Sequence, residues 1–166
     1  NGVSKERKQY IYQLLSAALA ITDKKGEKTR VKSIINIGGY AVRTTALNNK
    51  DVDVAYFAAS KQYEDLVLPI RIPLYKGLMG YRTLLIRADK QKKFSQIHSV
   101  DQLKSLRNGG QTTWITTQVF DYYQYNYLAL KGMGEIFKYL STDGVDYATR
   151  GVIEAAHDSR VIERNY

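Results

Sequence analysis

The first third of the chain alternates helical and strand-like hydrophobic patterns. Apolar side chains recur at helical spacing over residues 10–19, which predicts an amphipathic helix. Alternating apolar positions predict a strand over Arg30–Ile37, and a helix over Ala41–Leu47 and an apolar strand over Val52–Phe57 follow. This α, β, α, β order predicts a parallel sheet covered by helices.

The rest of the chain first becomes rich in β-formers and then alternates again. The runs Leu66–Ile72 and Gly80–Ile86 have the pattern of extended crossover strands. Beyond them we predict helices over Val100–Leu106, Gln118–Tyr123, Gly134–Leu140 and Gly151–His157, and strands over Gln111–Ile115, Tyr125–Leu130 and Val145–Ala148. The pattern therefore predicts an α/β protein with two lobes, residues 1–80 with the first crossover strand and residues 81–166 with the second.

The amino-acid composition excludes some classes of function but does not identify a binding partner. Lys and Arg number 25 against 16 Asp and Glu, so the chain carries a net charge of +9 and should attract anions. The absence of cysteine excludes disulfides, thiolate metal sites and thiol nucleophiles. No apolar run approaches the roughly 20 residues of a membrane span, so we expect no transmembrane segment.

The common catalytic motifs do not occur. Only two histidines are present, His98 and His157, and the chain has no G-x-S-x-G, H-E-x-x-H or G-x-x-x-x-G-K pattern. Asp51, Asp53 and Asp146 flank short apolar strands, but no ligand spacing links them, so turn caps or ion pairs explain them better than a metal site. We therefore expect no enzymatic activity, no metal and no cofactor.

A group of tyrosines in a basic chain is compatible with two interpretations. These tyrosines are Tyr122, Tyr123, Tyr125 and Tyr127. They would suit a stacking surface for single-stranded nucleic acid. They also cross a predicted helix-to-strand junction, where alternate residues face the core, and no known RNA-binding signature accompanies them. Packing is the favoured explanation, and a basic nucleic-acid-binding domain remains the alternative function.

The segment Asn108–Gln118, NGGQTTWITTQ, combines glycines, hydroxyls and one tryptophan before a predicted helix. We expect Thr116 or Thr117 to cap that helix, with free backbone N–H groups available to an anionic group such as a carboxylate. The competing interpretation is a capped turn with Trp114 in the core.

Three pieces of the chain together resemble a known family. They are residues 51–87, which include the crossover IPLYKGLMGYR, the TTWITT segment, and residues 143–155, which include RGVIEA. In this order they resemble the type II periplasmic solute-binding proteins, in the branch related to polar amino acid binding components of ABC transporters. The resemblance implies two α/β lobes joined by crossover strands, with a ligand held in the cleft between them and closed over by hinge motion.

The resemblance also implies a set of ligand-binding residues. These are Arg43 and Ser60 from the first lobe, Thr113, Trp114 and Thr117 from the helix entry of the second lobe, and Tyr147 and Arg150 from a strand end, with Gly77 and Gly80 in the hinge. Amino acid binders place a carboxylate-clamping arginine where this chain has Tyr63, and a tyrosine hydroxyl cannot form that bidentate charged pair. Arg43 or Arg150 would have to substitute. For Arg150 the alternative role is a salt bridge to Glu154 or Asp146.

The expected function is extracytoplasmic binding of a small polar or anionic solute. The protein would be a periplasmic substrate-binding component of an ABC transporter or a sensory module, with a permease or a signalling protein as its partner and no nucleic acid. The family begins with a strand and returns to the first lobe after the second, so we expect the fold of this chain to be incomplete at both ends. An enzyme on the same two-lobed scaffold is a third option, because a fold does not fix a function.

Overall fold

The structure, a computed structural model, describes residues 5–23, 29–34 and 39–165, with side chains through residue 160. The chain divides into two compact units, the first ending at Leu74 and the second beginning at Tyr75. Within the described ranges, helices combine with a four-stranded sheet, so the chain is an α/β protein, as the sequence pattern predicts.

The described elements of the first unit are helices. They are α1 (Lys5–Thr22), α2 (Tyr40–Asn48) and the single turn α3 (Lys61–Glu64). The first two confirm the helices predicted from hydrophobic spacing. The Tyr10 hydroxyl of α1 donates to the carbonyl of Leu74 at 2.8 Å, so the helix is linked to the end of its own unit.

The strands predicted for the first unit are wrong where the structure describes them. Val52–Phe57 and Leu66–Ile72 are irregular. In the predicted strand Arg30–Ile37, residues 30–34 are not in a strand, and residues 35–37 lie outside the described ranges. An alternating pattern becomes a strand only where another strand pairs with its backbone groups. Here the amides of Asp51 and Val52 instead donate to the carbonyl of Ala46, which turns the chain back onto the end of α2.

The second unit contains the sheet. Its elements are β1 (Arg82–Leu85), α4 (Gln91–Phe94), α5 (Val100–Ser105), β2 (Asn108–Gln111), α6 (Ile115–Tyr122), β3 (Tyr127–Leu130), α7 (Met133–Ser141), β4 (Tyr147–Gly151) and α8 (Val152–Asn165). The strand order is β1-β4-β2-β3. The last three strands of the chain run parallel, and β1 pairs antiparallel with β4.

Most of the predicted elements of this unit exist, but the strand predicted over Gln111–Ile115 is wrong. Only Gln111 of that range lies in β2, which begins at Asn108, and Ile115 already belongs to α6. The strand predicted over Val145–Ala148 is β4, which begins at Tyr147 and runs to Gly151. Asn-Gly-Gly usually indicates a turn, yet all three residues are buried in β2. A Cβ added to Gly109 would lie 3.1 Å from a methyl of Val145, which is closer than ordinary contact, so a larger residue there would require Val145 to shift.

The core lies on one face of the sheet. Its buried members are Leu130, Ile136, Phe137 and Ala148, with Leu85, Trp114, Leu128 and Met133 packed against them. Helix α7 contributes the centre of this cluster and packs against β2, β3 and β4. On the opposite face, the ring of Phe120 in α6 contacts Tyr127, and Phe94 contacts Tyr147 edge-on.

Candidate functional site

The candidate site lies at the carboxyl ends of β2 and β4, which are neighbours in the sheet. After β2 the chain passes through α6 to β3, on one side of β2. After β4 it enters α8, which packs against β1 on the other side. Connections that leave two adjacent parallel strands in opposite directions open a crevice at their carboxyl ends, where α/β proteins bind ligands.

The loop between β2 and α6 lies at the first of these two strand ends, which together we call the crevice. The Thr112 amide donates to the carbonyl of Leu130, and the Trp114 amide donates to the carbonyl of Gln111, both at 3.0 Å. Thr113 is exposed, Trp114 is half-buried and Thr117 is buried. The Thr116 hydroxyl is buried and has no hydrogen-bond partner in the described part of the chain.

The expected threonine cap of α6 is wrong. The helix begins at Ile115, before both threonines, its N-cap position is Trp114, and no side chain caps it. The Thr117 hydroxyl instead donates to the carbonyl of Gln111 at 2.9 Å. That bond links the first turn of the helix to the last residue of β2.

Arg150 lies near the carboxyl end of β4 and is 4% exposed. Its Nε donates to Asp158 Oδ2, and its Nη2 lies 3.3 Å from Glu154 Oε1. The guanidinium carbon lies 4.8 Å from the centre of the Trp114 ring. The salt bridge to Glu154, one of the two alternatives considered for Arg150, is therefore confirmed, whereas Asp146 pairs with Lys93.

The charges around Arg150 are balanced within the protein. Glu154 and Asp158 are both buried, and Glu154 Oε2 also accepts a hydrogen bond from the Gly151 amide at 3.1 Å. Arg82 lies opposite Gly151 in the β1–β4 register. Burial lowers the pKa of Arg82, the charge of Glu154 opposes that shift, and the charge of Arg150 adds to it. Two cations and two anions thus influence one another at the start of α8.

Tyr147 is not brought to the crevice. It is the first residue of β4, at the amino end of the strand, and is 1% exposed. Its ring contacts Phe94, and its hydroxyl has no hydrogen-bond partner among the described residues. Burial raises the pKa of this hydroxyl. In this structure Tyr147 is a packing residue of the sheet.

The predicted site residues of the first unit have partners within that unit. Arg43 Nη1 donates to the carbonyl of Tyr56 at 3.0 Å, and its guanidinium lies over the rings of Tyr40 and Tyr56. The Ser60 hydroxyl caps α3 by accepting from the Tyr63 amide at 3.4 Å. The Tyr63 ring, at the position where amino acid binders have arginine, lies 5.3 Å from that of Tyr40. Their contact with a ligand stays a prediction.

The turn expected to act as a hinge is left-handed at two successive residues. Lys76 and Gly77 have φ angles of 47° and 81°, and the Leu78 amide donates to the carbonyl of Tyr75. Gly80 ends a short 3-10 helix. Of the two glycines expected in the hinge, Gly77 alone adopts a left-handed conformation that favours glycine.

Sequence reasoning missed Asp158. The four-residue spacing of Glu154 and Asp158 places both on one face of α8, but Arg150 lies in β4, so the spacing alone does not identify it as their partner. Within the described residues, no group of three histidines or carboxylates is arranged to hold a metal ion. No helix in the described ranges combines the length and hydrophobicity needed to cross a bilayer.

Comparisons with known proteins do not assign the chain. No protein-family model matches it, and no curated protein matches it. The functional argument therefore depends on the geometry of the site.

Proposed function

We propose that this chain binds a small polar solute at the carboxyl ends of β2 and β4. In this proposal it is an extracytoplasmic, two-lobed module of the type II periplasmic-binding class, serving an ABC importer or a sensory protein. The observation that carries the proposal is the strand topology, since the connections after β2 and β4 depart in opposite directions.

The side chains at this crevice suit a small ligand. Sites for small molecules combine an apolar or aromatic surface with a few fixed polar groups. The half-buried Trp114 offers the aromatic surface, and the exposed Thr113 and the unpaired hydroxyl of Thr116 offer hydrogen bonds. Thr113 and Trp114 directly precede α6, Thr116 lies in its first turn, and the bond from Thr117 to β2 links this segment to the sheet.

The test is a thermal-shift screen against l-amino acids and small carboxylates. A ligand of the native state at 100 times its Kd stabilises the fold by about 2.7 kcal/mol, which a melting experiment detects readily. We expect at least one compound to raise the Tm of the wild-type protein and to lose that effect in Trp114→Ala. Tyr122→Ala, an exposed aromatic change on α6 away from the crevice, is the matched control and should respond as the wild type does.

Two results would contradict the proposal. One is a screen in which no solute raises the Tm. The other is a stabilising solute whose effect survives Trp114→Ala but is lost in the control, because that solute binds elsewhere.

A nucleic-acid-binding surface is the second candidate function. Tyr122 is 80% exposed and meets the half-exposed Tyr123 edge-on at 5.0 Å, while Lys104 Nζ lies 5.5 Å from the centre of the Tyr125 ring. Exposed rings beside cations suit stacked bases. A labelled oligonucleotide would then bind with an affinity that falls steeply with salt and that Tyr122→Ala reduces. Binding of a small solute at the crevice would show neither the steep dependence on salt nor the loss of affinity in Tyr122→Ala.

A further inference from the structure

Arg150 already has its partners inside the protein. Its Nε pairs with the buried carboxylate of Asp158, its Nη2 pairs with that of Glu154, and the ring of Trp114 covers a face of the guanidinium. An anionic ligand would have to displace Glu154 or Asp158 to form a bidentate pair with it. The displaced carboxylate would remain buried without its partner, which is strongly unfavourable.

We propose that Arg150 is a positioning residue for Trp114, and that the ring of Trp114, rather than the guanidinium, contacts the ligand. This inference rests on the proposed function, because it places the ligand in the same crevice. In this inference the ligand is recognised by contact with an aromatic ring and not by a salt bridge to an arginine.

The geometry explains how the ring is held. Trp114 follows β2, whereas Arg150 belongs to β4, so their contact joins the two strand ends that border the crevice. Glu154 and Asp158 lie on successive turns of α8 and fix the guanidinium from the helix side. A planar guanidinium can stack on an indole while its edge bonds to carboxylates, and a lysine ammonium cannot do both.

The same geometry indicates a ligand class. With Arg150 neutralised by its own carboxylates, the crevice offers an indole face, threonine hydroxyls and backbone amides. These groups suit a neutral or zwitterionic polar solute with an apolar or planar face. Arg150 is therefore not available to clamp a small dicarboxylate.

The role of Arg150 is tested first without any ligand. Trp114 is the only tryptophan of the chain, so its fluorescence reports on this ring alone. Arg150→Lys keeps the charge and removes the planar group, and Arg150→Met with Glu154→Gln and Asp158→Asn removes the whole ion cluster without leaving a buried charge. In both variants we expect a red-shifted emission maximum and faster quenching by acrylamide, with unchanged far-ultraviolet circular dichroism.

Unchanged emission and quenching in both folded variants would overturn the positioning role. Loss of the circular dichroism signal in both variants would overturn it too, because Arg150 would then be required for the fold rather than for the ring. Asp158→Asn alone, which keeps the guanidinium and one carboxylate, should give an intermediate rate of quenching.

The ligand class is tested by titrating leucine, glutamine and succinate into the wild type and two Trp114 variants. We expect the amino acids to bind more tightly than succinate. Trp114→Leu should weaken amino acid binding about thirtyfold or more, and Trp114→Phe should restore most of the affinity. Tighter binding of succinate, abolished by Arg150→Lys, would overturn the inference. Binding of none of the three would contradict the proposed function, while the quenching experiment still decides the role of Arg150.

Discussion

Asp146 shows at the residue scale how one carboxylate joins separate segments of the second unit. Its Oδ1 accepts a hydrogen bond from Lys93 Nζ at 2.7 Å, and its Oδ2 accepts one from the Arg107 amide at 2.9 Å. Burial opposes ionisation of the group, but these bonds outweigh it and hold the pKa of Asp146 below its usual range. The carboxylate therefore stabilises the start of β4 in its charged form.

We predict a pH-dependent loss of stability from this group. Because its folded pKa lies below the unfolded value, its contribution is complete above about pH 4 and is lost as the pH falls through the folded pKa. Asp146→Asn should lower the free energy of unfolding by about 1 kcal/mol near neutral pH and by less in acid. Urea denaturation from about pH 3 to about pH 7 measures this. The exposed Asp53→Asn is the control, and an equal effect of Asp146→Asn at every pH would contradict the argument.

At the element scale, the C-terminal ends of three helices share one backbone feature. Helices α2, α6 and α7 are each followed by a left-handed residue that is not glycine: Lys50, Gln124 and Asp143. After α6, the Tyr125 amide donates to the carbonyl of Phe120, and their two rings lie 5.3 Å apart. This is the Schellman arrangement with its hydrophobic contact. Glycine usually occupies the left-handed position, yet the hydrophobic spacing predicts the ends of all three helices to within one residue without it.

Gln124→Gly should therefore stabilise the protein. Glycine adopts a φ of 57° without the steric cost that glutamine bears, although it loses more entropy on folding. We expect a gain of about 0.5 to 1 kcal/mol in the free energy of unfolding. Gln124→Ala keeps the strain and serves as the control in the same urea titration. If Gln124→Gly lowers the free energy of unfolding, the glutamine side chain stabilises the fold by more than its left-handed backbone conformation destabilises it.

Helices were easier to predict than strands for a physical reason. A helix satisfies its backbone groups within its own segment, so local spacing was enough to identify α1, α2 and α7. A strand depends on neighbours far away in the sequence. Asn108–Gln111 became a strand because it lies between β3 and β4, while the better pattern of Val52–Phe57 has no strand partner among the described residues.

At the scale of the whole molecule, burial is unevenly divided between the two units. Every buried apolar residue of the described chain belongs to the second unit, and in the described part of the first unit only Thr44 is buried. Leu68 and Ile70 of the first unit are 91% and 73% exposed. Stability from apolar burial is therefore concentrated in the second unit.

Hydrogen exchange should reveal this division. We expect the amides of β2, β4 and α7 to exchange slowest, because they open only with the core, and the irregular segments 52–60 and 66–73 to exchange fastest. Mass spectrometry of peptides after timed exchange gives both rates in one experiment. Equal protection of the irregular segments and the sheet would contradict the uneven distribution of stability.

The candidate site could be predicted in part because the carboxyl ends of parallel strands meet at one edge. Thr113, Trp114 and Arg150 come together for that reason. Tyr147 does not join them, because it lies at the amino end of β4. The engagement of Arg150 by two carboxylates depends on how α8 packs, which no local pattern specifies.

Amide chemical-shift mapping tests the central claim most directly. Adding the strongest stabilising solute of the l-amino acid screen to the isotope-labelled protein locates binding without any mutation. The solute site proposed here predicts that the largest shifts fall in Thr112–Thr117 and Gly151–Ile153, with smaller changes elsewhere. Shifts centred on Tyr122–Tyr125, or on Leu84 and Phe94 at the opposite face of β1, would contradict it.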